Sequence, residues 1–169
     1  MSINMIKIVP PDALSKASRS EIDKWLLKFP EDKKQSAVIA ALTIVQKENA
    51  GSLTEELIVA VAAYLKMPKI AVYEVATFYT LFDLKPVGKY KIAVCTSISC
   101  MLRDSDSIVS HLKNKLGISF GETTSDNRFT LKEVECLAAC GTAPAMQIDL
   151  QYHENLTPAK IDSILDALP

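Results

Sequence analysis

The chain has no apolar run long enough to cross a bilayer, no excess of either charge and no pair of cysteines two residues apart. Each absence removes or weakens a class of function. The longest apolar stretches, Ala37 to Val45 and Leu57 to Leu65, are interrupted by polar residues and fall far short of the ~20 residues a spanning helix needs. No direct membrane insertion is therefore expected. Lys and Arg number 19 against 20 Asp and Glu, for a net charge of -1, so the electrostatic footprint of a nucleic-acid binder is missing. The first residues, Met1 to Pro10, lack the basic start, apolar run and small-residue cleavage site of a secretory signal. A cytoplasmic chain is the expectation. No Gly-rich phosphate loop follows a predicted strand, and no nucleophile stands beside an evident base, so neither nucleotide binding nor nucleophilic catalysis is expected of this chain alone. Repeats and low-complexity segments are also absent.

What is present is enough apolar material for a core, at 49% hydrophobic residues over 169 positions. The first half reads as helices. Ile22, Trp25, Leu26 and Phe29 mark one around Ser20 to Leu27. Ala37, Val38, Ala41, Leu42 and Val45 lie on one face of a second, from Ser36 to Asn49, which Gly51 ends. Ser52 or Thr54 can cap a third that runs to about Lys66, with Glu55 placed for a capping box from Ser52. Pro68 stops it and opens a fourth, where Val72, Val75, Ala76, Tyr79 and Phe82 recur at helical spacing from Lys69 to Leu84.

Lys85-Pro86-Val87-Gly88-Lys89 breaks this rhythm. Beyond it, Tyr90 to Cys95 fits a strand, Met101 to Leu116 a helix ending at Gly117, and Phe129 to Glu135 a second strand. Ala145 to Leu150 and Gln151 to Asn155 read as a strand pair, followed by a helix capped by Thr157 with Pro158 in its first turn. The expected fold class is α+β: an N-terminal helical bundle over residues 1–84, then a domain over 85–169 with an open mixed sheet and flanking helices.

All four cysteines fall in the second part. Cys95 ends a strand and Cys100 precedes a helix, so Thr96 to Ser99 form a short loop; Cys136 and Cys140 repeat the arrangement across Leu137-Ala138-Ala139. Two such loops at corresponding ends of neighbouring strands would make one four-thiolate pocket, suited to a 2Fe-2S cluster in which two sulfurs bind each iron. The spacings C-x4-C and C-x3-C weaken the readings as a thioredoxin-type thiol–disulfide enzyme or a zinc ribbon, both of which favour C-x2-C. Four-cysteine zinc, acting as a structural module, stays open, as do free or disulfide thiols. Thr96, Ser97 and Ser99 offer hydroxyls, and Gly141 exposes backbone N–H groups, that would make electron entry easier; Glu133 and Glu135 bring negative charge that would make it harder. The same Ser and Thr residues also suit any loop, and the two Glu any solvated strand position.

Val75-Ala76-Thr77-Phe78-Tyr79-Thr80, Leu84-Lys85-Pro86-Val87-Gly88-Lys89-Tyr90, Gly121-Glu122-Thr123-Thr124 and Glu133-Val134-Glu135-Cys136-Leu137, with the two cysteine pairs, resemble the family of the small 2Fe-2S subunit of NADH:quinone oxidoreductase, respiratory complex I. The match runs from about Ser36 to Leu168. The resemblance implies a thioredoxin-like ferredoxin domain, with Cys95, Cys100, Cys136 and Cys140 holding one 2Fe-2S cluster. It implies that FMN and NADH sit on a partner subunit, with which the cluster exchanges single electrons. Further partners would be subunits of the peripheral arm of the complex, on the cytoplasmic side of the inner membrane. Gly141-Thr142-Ala143-Pro144 is also similar to the equivalent subunits of NAD-linked hydrogenases and formate dehydrogenases, which form the alternative parent. His111 and His153 have no cysteine at ligand spacing and read as structural or exposed. Trp25, Tyr73, Phe78, Tyr79 and Phe82 read chiefly as core, with a partner-facing strip as the other possibility.

Overall fold

The computed structural model describes residues 13–169. The reading of Met1 to Pro10 lies outside the described residues. The chain divides into two compact units, Met1–Pro86 and Val87–Pro169.

The first unit holds four α-helices: α1 (Lys16–Leu26), α2 (Val38–Glu48), α3 (Glu55–Tyr64) and α4 (Lys69–Phe78), with a 3-10 stretch over Glu31–Ala37 leading into α2. Ser15 caps α1 by accepting from the Ser18 N–H, and Thr54 caps α3 by accepting from that of Leu57. Thr54 takes the role because its side chain lies one residue before the first helical turn, and the capping box from Ser52 is not formed. After α2 the turn uses two left-handed residues, Ala50 and Gly51, and the Gly51 N–H closes on the Gln46 carbonyl. Ile22, Leu42, Ile58, Val61 and Val72 form the bundle core. Fully burying each such side chain stabilises the unit by about 1.5–3 kcal/mol.

The helical unit departs from expectation in two further places. α4 ends at Phe78, not Leu84: Tyr79 is extended, and Phe82, only 5% exposed, returns to the core from outside the helix. Buried Gln46 accounts for this, because its amide donates to the Leu81 carbonyl and accepts from the Asp83 N–H, replacing the bonds a longer helix would have made. Secondly, the aromatics are mostly not core. Trp25, Tyr73, Phe78 and Tyr79 are exposed, Phe78 by 77%, and Trp25 lies under the Lys28 ammonium. Helical spacing places these rings on a side of the helix without supplying anything to cover that side.

The second unit is a four-stranded mixed sheet in the order β2-β1-β3-β4, from β1 (Tyr90–Cys95), β2 (Phe129–Val134), β3 (Met146–Ile148) and β4 (Gln151–His153). β1 and β2 are parallel with Tyr90 opposite Phe129 and Cys95 opposite Val134; β3 is antiparallel to both β1 and β4. α5 (Ile98–Met101) and α6 (Ser105–Leu116) connect β1 to β2, and α7 (Pro158–Asp166) closes the chain, capped by Thr157 as its sequence suggests. The expected helix from Met101 is therefore two helices, separated where Asp104 turns left-handed at φ 69°. Ile92, Val94 and Leu131 meet Ile108 and Leu112 of α6 and Ile161 and Leu165 of α7. Asp162 ties these two helices together through His111 at 2.9 Å and Lys115 at 3.0 Å.

The sequence motifs find structural work in this unit. Gly88 donates to Thr130 Oγ1 at 2.6 Å, and a Cβ there would lie 3.0 Å from the Arg128 and Phe129 backbone, so the chain enters β1 through a space only glycine fits. Gly121 and Glu122 exchange backbone hydrogen bonds with Leu131, and Thr123 bridges Thr130, which covers the outer edge of β2.

Candidate functional site

Parallel pairing of β1 and β2 makes their C-terminal ends coincide, and both cysteine loops leave the sheet from that end. Cys95 is the last residue of β1. Alternation along the strand turns Ile92 and Val94 toward the helices and leaves Ala93 and Cys95 on the other face. Cys95 and Cys100 are buried and pack with Leu137, Ala143 and Val134 in a small apolar cluster separate from the main core. Cys100 lies inside α5 rather than ahead of a helix. Cys136 and Cys140 are exposed, and Cys140 opens a single 3-10 turn, Cys140–Thr142. No disulfide joins any two of them.

The sulfurs are unequally placed. Burial first, then a hydrogen bond with Cys95, push the Cys100 thiol up, against the Ala145 backbone, which lowers it; the charges of Cys95 and Cys140 push the same way as burial. Cys95, Cys100 and Cys140 thus share one electrostatic neighbourhood. The Ala138 N–H donates to the Cys136 sulfur at 3.2 Å, and Cys95 Sγ lies 3.7 Å from the Glu135 carbonyl. Among the described residues no three His, Cys, Asp or Glu side chains are gathered tightly enough to hold one metal ion. The arrangement is a buried pair and an exposed pair on facing loops.

The backbone around the thiols is tightly tied. The Cys95 N–H donates to the Ala145 carbonyl at 3.1 Å, linking β1 to the segment that follows Cys140. Thr142 and Pro144 carbonyls accept from Asn155 and Leu156, so the loop ahead of α7 braces the second cysteine loop. Sequence reasoning did not single out Ala145 or Asn155, because backbone hydrogen bonding leaves no mark in residue type. Asn155 in the left-handed region is the one available hint.

Of the residues offered as hydrogen-bond donors, Thr96 gives its hydroxyl to Glu133 Oε1 at 2.8 Å. Ser97 caps α5 without a side-chain bond. A Cβ at Gly141 would meet nothing within 4 Å, so close backbone approach does not explain glycine there. His111 and His153 stand away from the thiols, in α6 and β4. Ile98, Met101 and Leu102, on and just after the α5 turn that carries Cys100, are 69%, 48% and 77% exposed. A shallow depression of about 800 Å³ beside the end of α6 contains none of the cysteines and has no part in this chemistry.

The donor set suits an iron–sulfur cluster. The four soft thiols come in two pairs, with an apolar lining on one side and a backbone N–H at the Cys136 sulfur.

Comparison with known proteins agrees in extent and kind. The family model for thioredoxin-like 2Fe-2S ferredoxins matches residues 22–169. A subunit of the NADH-quinone oxidoreductase of Rickettsia bellii is 46% identical over 156 residues, covering 92% of this chain and 93% of the relative. The protein of the same name from Rickettsia conorii is 50% identical over 146 residues, covering 86% and 87%. A Rhizobium meliloti form of the same NADH-quinone oxidoreductase subunit is 44% identical over 149 residues, covering 88% and 87%. Among solved structures, an NAD+-reducing NiFe-hydrogenase in the air-oxidized state superposes with a TM-score of 0.65 at 22% identity, over 76% of this chain and 22% of that one. That likeness is one of fold.

Proposed function

The chain belongs to the thioredoxin-like 2Fe-2S ferredoxin family, and on that premise we propose that it is a non-catalytic electron-transfer subunit of an NADH:quinone oxidoreductase, holding one 2Fe-2S cluster on Cys95, Cys100, Cys136 and Cys140. The observation that carries the reading is the meeting of two cysteine loops at the shared end of the parallel strands β1 and β2. Relatives of 44–50% identity, all named as the same NADH-quinone oxidoreductase subunit and matched over nearly their whole length, support the parent complex.

A bound 2Fe-2S cluster supplies a one-electron couple, which no side chain of this protein supplies by itself. The protein's part is to fix and insulate it. Cys95 and Cys100, buried with Leu137 and Ala143, hold the inner side away from water, and Ala138 directs its backbone N–H to the Cys136 sulfur. Such a donor stabilises added negative charge and so favours reduction. Cys136 and Cys140 are exposed, as are Ile98, Met101 and Leu102 around the α5 turn that carries Cys100, and a flavin- and NADH-binding partner would exchange single electrons with the site from this open side. Docking there would cover the apolar side chains. The described helices include none long and apolar enough to cross a membrane. Attachment through other subunits of the peripheral arm, on the cytoplasmic side of the inner membrane, fits that architecture.

The two compact units are proposed to be independent domains, residues 1–84 helical and 85–169 cluster-bearing. Elemental analysis of protein taken from its native complex tests the assignment: about two irons and two sulfides per chain are expected, and stoichiometric zinc without sulfide would refute it. Cys100→Ala should abolish iron retention while the helical circular dichroism of the first unit persists. Collapse of all helical signal would contradict the two-domain reading.

A further inference from the structure

The two cysteine pairs differ in what the backbone presents to their sulfurs. At Cys136 it is a donor: the Ala138 N–H points at the sulfur from 3.2 Å. Ala138 holds that direction by taking a left-handed conformation, φ 56°, which strains any residue with a Cβ. At Cys95 it is an acceptor: the Glu135 carbonyl oxygen lies 3.7 Å from the sulfur. A thiol can donate to that oxygen, but a thiolate ligand has no proton to give, and the negative end of the carbonyl dipole then faces it. Solvent widens the difference. Cys136 and Cys140 are exposed, whereas Cys95 and Cys100 are 5% and 2% exposed and pack with Leu137 and Ala143. The Ala145 backbone acts on Cys100 in the direction that favours negative charge, but burial opposes it and is the larger effect.

We propose that the electron taken up by the cluster settles on the iron held by Cys136 and Cys140, so that the open side of the site is its reducible side, with Ala138 the positioning residue that favours this. The inference rests on the cluster assignment made above, with each loop supplying both thiolates of one iron. Reduction converts one ferric ion to ferrous and breaks no bond to the protein; the electron comes from a reduced flavin on the partner, or from dithionite in the test. The two irons compete for it. Added negative charge is stabilised where an N–H donates to a ligand sulfur and where water reaches the site, and is opposed where a carbonyl oxygen faces the sulfur inside an apolar lining. Both conditions favour the iron of the second loop. The electron then resides on the side from which a partner can take it, and exchange needs no passage through the buried pair.

The test is temperature-dependent proton NMR of the full chain, reconstituted anaerobically with iron and sulfide and reduced with dithionite. In a spin-coupled ferric and ferrous pair, the shifted β-protons of cysteines on ferric iron move toward their ordinary positions on warming, and those of cysteines on ferrous iron move away. The buried pair is assigned by cross-relaxation with the Ala143 methyl, which packs in its cluster. Cys95 and Cys100 should follow the ferric pattern and Cys136 and Cys140 the ferrous one. The reverse assignment, or one behaviour shared by all four, would overturn the proposal. Redox titration then isolates Ala138. Ala138→Gly keeps the left-handed turn and its N–H and should leave the midpoint unmoved. Ala138→Val, β-branched and strongly disfavoured there, should turn the N–H from sulfur and lower the reduced-to-oxidised ratio at fixed potential roughly three- to tenfold, a tenfold change being about 59 mV for one electron. An unmoved midpoint in Ala138→Val, or an equal fall in both variants, would overturn the role given to Ala138. A wild-type chain that gives no reduced-cluster EPR signal would instead overturn the cluster assignment, and this inference with it.

Discussion

At the scale of single residues, the informative positions are those where side-chain chemistry and backbone geometry disagree. Asp104 is one: it sits in the left-handed region at φ 69°, ψ 35°, ahead of α6, and its side chain makes no capping bond that would repay the strain. Asp104→Gly should therefore stabilise the protein by about 0.5–1 kcal/mol, read as a higher urea midpoint with unchanged m-value; an unchanged or lower midpoint would show that the carboxylate has a compensating contact. His153 is another. Burial first, then the Lys160 charge, lower its pKa from the usual histidine value. Because the folded value is depressed, the neutral ring's contribution is fully present above the unfolded pKa of about 6.5 and is lost as pH falls through the folded one. Melting temperature should fall as pH drops from about 7 into that window, and His153→Gln should flatten the part of the decline that begins there; an identical profile in the variant would remove His153 as its source. The sequence showed that neither histidine had a cysteine partner, but not the neighbours that perturb His153.

At the scale of elements, most starts and several stops were legible because local chemistry sets them. Thr54, Pro68, Thr157 and Gly117 each act within a residue or two of where they stand. What was illegible depended on distant groups. The apolar period through Phe82 predicted a longer α4, yet the segment after Phe78 takes its backbone partners from Gln46, more than thirty positions earlier. Gln46→Leu should leave the Leu81 carbonyl and Asp83 N–H without these partners. A loss of about 1–3 kcal/mol in denaturant titration, with faster amide exchange confined to residues 81–83 and the neighbouring turn at Leu53, is expected. Equal stability, or exchange accelerated evenly across the bundle, would contradict the bracing role. The helix expected from Met101 to Leu116 divides for a similar reason: α5 is a short turn holding Cys100 inside the apolar cluster, and Asp104 reverses the chain to aim α6 at the sheet.

At the scale of the whole molecule, the change from helical to alternating patterns near Lys85 was readable because it needs only two periodicities, and the described structure is α+β with an open mixed sheet in its second unit. The strand order was harder to read, since β1 lies between β2 and β3 and only long-range pairing determines that. That order gives the cysteine loops a common end. Sequence spacing presented the quartet as four equivalent ligands; the fold makes the four cysteines a buried pair and an exposed pair. The asymmetry suits a site that must be insulated from the protein's own side and open to a partner's. The claim on which everything else depends is the cluster itself. EPR of the full chain, reconstituted anaerobically with iron and sulfide and reduced with dithionite, should show about one unpaired electron per chain, lost in Cys100→Ala; a chain that stays EPR-silent and retains only zinc would contradict the account.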